Sequence, residues 1–284
     1  MATPDGVDIS VREWGNPAGQ PILFVHGVAQ SHLSFLPQFA SSLAARHRLI
    51  AYDLRGHGES AKPADPSYYN EGRRWADELA AVIDTVDATA VGAGHKPGPI
   101  LVGWSLGGRV LRQYLMHYGD RRIGGLHFVA TRPFEDPAII APASLANMTA
   151  RPDTLATQID AHIAFLRACF LREPAAEDFV VAIAYNVIVP QQIREAIGTW
   201  STGLDETRAA LNKVSVPTLI AHGRDDALIL PAAAQMTAAA ITGSRISWYD
   251  DCGHSPFYEH AERFNRELDA FAEAITKQQG VACR

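Results

Sequence analysis

Ser105 closes an apolar run and stands between two glycines, in Leu101-Val102-Gly103-Trp104-Ser105-Leu106-Gly107-Gly108. A serine hydroxyl is a weak nucleophile in water. A protein that uses one must raise it on a sharp turn, set a base beside it and place backbone amides where an oxyanion forms. Gly103 and Gly107 leave out the side chains that would collide with a neighbouring strand and helix at such a turn. The run reads as a nucleophile elbow: a strand over residues 100–104, then a helix from Leu106 with Val110, Leu111, Tyr114 and Leu115 at helical spacing. The same short pattern also occurs in ordinary turns and helix starts. Order along the chain separates the two readings, because catalysis requires a base and an acid downstream, each at the end of its own strand.

The elements that must position such groups alternate in type. Strand patterns cover residues 7–13 (an edge strand), 21–25, 49–54, 123–131, 218–221 and 245–249, besides the elbow strand. Helical spacing covers residues 72–85, 232–240 and 261–276, the last with Phe264, Leu268 and Phe271 on one face, and a loop is expected over residues 92–99. Alternating strands and helices imply right-handed crossovers and a mainly parallel sheet covered on both sides, with the site at the carboxyl ends of the strands. Polar segments leave several strands there: His26-Gly27, Arg55-Gly56-His57-Gly58-Glu59-Ser60, Gly223-Arg224-Asp225-Asp226 and Cys252-Gly253-His254.

Residues 132–197 contain no glycine, and Ile159, Ile163, Leu166 and Phe170 recur at helical spacing. Residues 132–212 therefore read as a helical cap inserted into a core of residues 1–131 and 213–284, able to wall a pocket and select its ligand. Most of its apolar residues are expected to hold the cap to the core. The run over residues 179–189 is too short to span a bilayer and is expected to be a buried helix.

The 284 residues, 47% hydrophobic and 20% charged, suit one large α/β domain with an insertion. Lysine and arginine total 25 against 31 acidic residues, a net charge of −6, and no basic run points to nucleic acid or an anionic membrane. A small-molecule substrate is the expected partner, and the oligomeric state is open. Cys169, Cys252 and Cys283 are scattered and form no metal-binding or redox pattern, as expected of reduced thiols. The N-terminus has no basic stretch followed by an apolar one, so a cytoplasmic protein is expected.

Taken together, His26-Gly27, the segment from Asp53 to Ser60, the elbow, Gly223 to Asp226 and Gly253-His254 make the chain resemble the α/β-hydrolase superfamily. The resemblance covers about residues 21–131 and 214–278. It implies a mainly parallel eight-stranded sheet flanked by helices, and no metal or organic cofactor. The elbow and compact cap are most similar to bacterial esterases often labelled cofactor-free haloperoxidases or perhydrolases. Serine at the nucleophile position sets the chain apart from the haloalkane dehalogenases and epoxide hydrolases, which need a carboxylate there.

Carried onto this sequence, the resemblance implies Ser105 as nucleophile, His254 as general base and Asp226 as the group that orients and stabilises the imidazolium. Asp225 is the alternative acid, whereas Glu135 and Asp136 lie too far past their strand. The backbone amides of Val28 and Leu106 are expected to form the oxyanion hole. His26 is expected to hold its loop, Asp53 to accept backbone hydrogen bonds, and His57, His222 and His260 to be structural or surface groups. Trp104, Val28, Leu33, Phe35 and Leu106 near the serine, with Phe165, Tyr185 and Trp200 from the cap, are candidates for the pocket wall, and core packing explains each equally well. The implied chemistry is cleavage of an ester or related acyl bond of a small, largely apolar substrate through an acyl-enzyme. The alternatives are perhydrolase, lactonase, thioesterase or carbon–carbon hydrolase activity, or a ligand receptor or cofactor-free oxygenase on the same scaffold.

Overall fold

Short apolar runs bounded by glycine and proline become seven strands in the computed structural model, which describes residues 1–89, 98–142 and 154–282. They are β1 (Val11–Gly15), β2 (Pro21–Val25), β3 (Arg48–Tyr52), β4 (Ile100–Trp104), β5 (Gly125–Val129), β6 (Thr218–Gly223) and β7 (Arg245–Tyr249). Their order in the sheet is β1-β3-β2-β4-β5-β6-β7. Only β1 runs antiparallel, against β3; every other neighbouring pair is parallel. Strands β2 to β6 are buried along their whole length, as a sheet covered on both faces requires.

The sheet has seven strands among the described residues, not eight. The edge strand expected over residues 7–13 starts at Val11, because Val7 and Ile9 are buried without entering the sheet and only an isolated Ala2–Asp8 bridge forms there. Most of the expected loop over residues 92–99, and Cys283, lie outside the described residues.

The helices are α1 (Leu36–Phe39), α2 (Leu43–Arg46), α3 (Gly72–Ala88), α4 (Leu106–Tyr118), α5 (Leu155–Ala168), α6 (Ala176–Val187), α7 (Gln191–Thr199), α8 (Leu204–Leu211), α9 (Ala232–Ala240), α10 (Pro256–Glu259) and α11 (Ala261–Ala282). Helices α3 and α4 pack on one face of the sheet with Trp75, Leu79, Val110, Leu111 and Tyr114 buried. On the other face, α11 buries Phe264, Leu268 and Phe271. Among the described residues no helix is long and apolar enough to cross a membrane.

The chain between β5 and β6 carries α5 to α8. It is fastened to the rest by polar contacts: Asn186 Nδ2 donates to Ala29 O (2.9 Å), Ser255 Oγ to Cys169 O (2.9 Å), Leu171 N to Glu259 (2.8 Å) and Tyr258 OH to Asp178 (2.6 Å). Residues 179–189 do not form a buried helix. Phe179, Ala182 and Asn186 face inward on α6, while Val180, Val181, Val187 and Ile188 are exposed. Ile159, expected on the inner face of α5, is also exposed.

Candidate functional site

From β2 the chain moves outward to β3 and then returns to the other side of β2 with β4. Strand order reverses there, so the loops after β2 and β4 diverge and leave a crevice at their carboxyl ends. His26-Gly27-Val28 follows β2 and Ser105 follows β4.

Ser105 has φ 53° and ψ −112°, a left-handed conformation that non-glycine residues adopt at a cost of about 1–3 kcal/mol. The conformation is over-determined. Ser105 N donates to Val129 O (3.0 Å), and Ser105 O accepts from Gly108 N (3.0 Å) and Thr131 Oγ1 (2.9 Å). A Cβ on Gly107 would lie 2.1 Å from Val25 O, so only glycine lets α4 begin this close to β2. The result is a half-exposed serine at the start of α4 among buried neighbours.

Asp226 and His254 come from the loops after β6 and β7. Gly223 permits this approach, because a Cβ there would lie 2.0 Å from Gly253 O. Asp226 is buried, and its Oδ2 accepts from His254 Nδ1 at 2.8 Å. Its Oδ1 accepts from the amides of Leu228 (2.8 Å) and Ile229 (2.9 Å). Burial by itself would raise the Asp226 carboxyl. The His254 ring and the hydrogen bonds from His222 and His254 outweigh it and hold the group well below the usual carboxylate range. Asp225, one residue earlier, is exposed and does not meet His254.

His222, expected among structural or surface histidines, is buried against the Asp226 carboxylate. Its Nε2 donates to Ile229 O (2.9 Å) and lies 3.3 Å from Asp226 Oδ2, the oxygen that also receives His254. The available signal was its position at the end of β6, four residues before Asp226. His26 ties two loops together: Nε2 accepts from Leu54 N (3.0 Å), which leaves Nδ1 to donate to Gly27 O (2.8 Å). Asp53 accepts from the amides of His32 and Glu59, both at 2.8 Å. Neither Val28 N nor Leu106 N donates to a protein acceptor among the described residues, so both are free for a ligand oxygen.

Ser105, His254, Val28 and Leu106 line one cavity of about 350 Å3. With Nδ1 held by Asp226, Nε2 is the His254 nitrogen left to exchange a proton in that cavity. Of the expected wall residues, Val28, Leu106 and Phe165 line this cavity. Leu33, Trp104 and Tyr185 line a separate cavity of about 290 Å3 instead. Trp104 lies behind the histidine loop, its Nε1 donating to His254 O (2.9 Å). Phe35 and Trp200 are corrected to core residues: Phe35 packs on Phe24 and Phe257, and Trp200 stacks on Trp75. An aromatic residue near a site in sequence carries the same signal whether it faces a ligand or fills the core.

Sequence reasoning also missed three arginines that line the cavity: Arg109, Arg132 and Arg194. Arg109 and Arg132 share Glu135 with Arg112, at 3.1, 2.7 and 3.2 Å respectively. Burial lowers the Arg109 guanidinium to about 9, which leaves it charged at neutral pH.

A family model described as alpha/beta hydrolase fold matches residues 20–261. The structure is similar to that of a proposed aryl esterase from Burkholderia cenocepacia, with TM-score 0.85, 39% identity and 97% of each chain covered. It is also similar to the esterase RhEst1 from Rhodococcus sp. ECU1013, with TM-score 0.84 and 30% identity over 96% of this chain and 98% of that one. In sequence it is 26% identical to the non-heme chloroperoxidase CPO-A1 of Kitasatospora aureofaciens, over 95% of this chain and 97% of the relative. The loops that converge on Ser105 thus sit on a shared scaffold, and the chain belongs to the α/β-hydrolase family, as an enzyme with esterase-like relatives.

Proposed function

We propose that the protein is a serine esterase of small molecules, with residues 132–212 as a cap over a core of residues 1–131 and 213–284. One observation carries the reading: a serine in a strained, well-braced turn shares a cavity with a histidine whose other ring nitrogen is held by a buried carboxylate. Ser105 Oγ attacks the ester carbonyl while His254 Nε2 takes its proton. The carbonyl oxygen becomes an oxyanion between the amides of Val28 and Leu106, each such donor contributing roughly 3 kcal/mol to the barrier reduction. Collapse breaks the bond to the alkoxy oxygen, His254 returns the proton to the departing alcohol, and an acyl-serine remains. Water then attacks with His254 again as base, and the acid leaves as Ser105 regains its proton. Asp226, ionised and anchored by four donors, stabilises the imidazolium in both halves. Leu106, Ile140, Phe165, Ile197 and Leu228 give the cavity an apolar wall suited to the body of an acyl chain.

The chloroperoxidase relative favours a second reaction of the same intermediate, in which hydrogen peroxide replaces water and a peracid leaves. Both readings share one test. A fluorophosphonate labels Ser105, located by mass spectrometry, and activated esters give a burst of alcohol equal to the enzyme present. An adduct elsewhere, or full turnover by Ser105→Ala, defeats both.

A further inference from the structure

The cavity is two-sided in chemistry. Its floor is the serine turn with the apolar residues around it, whereas helices α5 and α7 of the insertion add Gln158, His162, Gln191, Arg194 and Glu195. Arg194 differs from the other cavity arginines. Arg109 and Arg132 are paired with Glu135, but Arg194 meets no carboxylate within salt-bridge distance among the described residues. Its Nε donates to Val189 O (3.3 Å) and its Nη2 to Asn186 O and Asn186 Oδ1, leaving Nη1 without a hydrogen bond in the protein. Burial lowers the group to about 10, and no acidic neighbour offsets it. His162 across the cavity is lowered to about 4 by burial and the nearby Arg194 charge, so it stays neutral.

A half-buried guanidinium with neutral oxygen partners and no counter-ion keeps an unneutralised positive charge in the cavity wall. The cavity as a whole has the same sign: three arginines face it against Glu195, while Glu135 behind them is divided among three guanidiniums. We infer that Arg194 is the anion-binding residue of the Ser105 cavity, and that the substrate is an ester whose far end carries a carboxylate or a comparable anion. The reasoning rests on the esterase reading for the location of the reacting end only. Arg194 Nη1 is left to donate its hydrogens to one anion oxygen, and the apolar wall takes the chain between the two ends. The arginine also reaches the oxyanion turn, since the Asn186 amide that it holds donates to Ala29 O, next to Val28. A bound anion therefore sits on a hydrogen-bonded chain that ends at Ala29 O, one residue beyond Val28.

The test uses monomethyl dicarboxylates from succinate to suberate, each beside its dimethyl ester. Calorimetry on Ser105→Ala reads binding without turnover. At the best chain length the monoester should bind at least ten-fold more tightly than the diester. The preference should shrink in Ser105→Ala/Arg194→Lys and vanish in Ser105→Ala/Arg194→Gln, with thermal melting confirming that each variant is folded. Equal binding of both esters to Ser105→Ala overturns the inference, as does a preference that survives Arg194→Gln. Hydrolysis by the wild type is scored separately. Anion-selective binding without any hydrolysis overturns the esterase reading and retains the anion site, whereas hydrolysis with no anion preference does the reverse.

Discussion

The sheet and the insertion bury their apolar residues by different rules. Strands β2 to β6 expose nothing, and the helices against them fill two continuous cores. The insertion instead turns Leu155, Ile159, Leu171, Val180, Val181, Val187, Ile188 and Leu204 outward, while Val189, Ile193, Ile197, Trp200 and Leu211 join it to the core beside α3 and α4. On the proposed reading, chemistry and recognition divide along the same line. Ser105, Asp226, His254 and the amides of Val28 and Leu106 stand in the loops at the strand ends, while Gln158, His162, Phe165 and Arg194 come from the insertion. A packed scaffold holds reacting groups to the narrow tolerances that catalysis needs, and a separate cover can change its ligand contacts without disturbing them.

If this division is right, the largest effects come from the scaffold. Ser105→Ala should lower kcat/KM for esters by about 10⁴-fold or more with little change in melting temperature. Ser105→Gly should be equally inactive yet more stable, by about 1 kcal/mol, because glycine relieves the left-handed strain at φ 53°. Ester hydrolysis rates and thermal melts on the same preparations check both. Gly107→Ala should come next, costing roughly 3 kcal/mol of stability, since its Cβ would lie 2.1 Å from Val25 O and one of two packed elements must shift. Urea denaturation measures it, and a loss below 1 kcal/mol would mean that the elbow is softer than the surrounding core.

Acid separates the regions as well. His127 is fully buried on β5 with neither ring nitrogen hydrogen-bonded, stacks on Phe264, and is pushed by burial down to about 3. A depressed histidine favours the neutral form in the folded state, so it has no effect on stability above the unfolded value near 6.5. Below that value the unfolded chain binds a proton that the folded one refuses. Stability then falls by about 1.4 kcal/mol per pH unit until the folded value is approached. Between pH 7 and pH 5, wild type should therefore lose about 2 kcal/mol more than His127→Leu, as read from urea midpoints at the two pH values. Equal losses would show that His127 takes up its proton without unfolding.

What the sequence disclosed follows the same boundary. The elbow was legible because a close approach of backbone to backbone tolerates only glycine, which leaves a pattern that no apolar average hides. Asp226 and His254 were legible because loops leaving parallel strands meet at one edge of the sheet. The eighth strand came from the resemblance and not from a pattern in the residues, and the edge strand was read four residues early because alternation reports burial and not pairing, and Val7 and Ile9 are buried in a loop. The faces of α6 could not be read, since a helix apolar on most sides has no sequence-level inside. Arg194 was invisible for a different reason. An arginine is ordinarily a surface residue, and only tertiary structure shows which one has lost water without gaining a carboxylate.

The smallest predicted effect tests the outer surface of the insertion. Val180 is 64% exposed on α6, whereas Leu101 on β4 is fully buried. Leu101→Ala removes atoms packed on every side and should cost about 2–5 kcal/mol. Val180→Ser removes a side chain already largely in water, and in an isolated chain it should change stability by less than about 0.5 kcal/mol. Denaturant titrations at two protein concentrations give both numbers. If Val180→Ser costs more than 1 kcal/mol, and the cost grows with concentration, the outer face of α6 is covered by another copy of the chain in solution. The contrast between a packed core and an open cover would then belong to the single chain and not to the assembly in which it works.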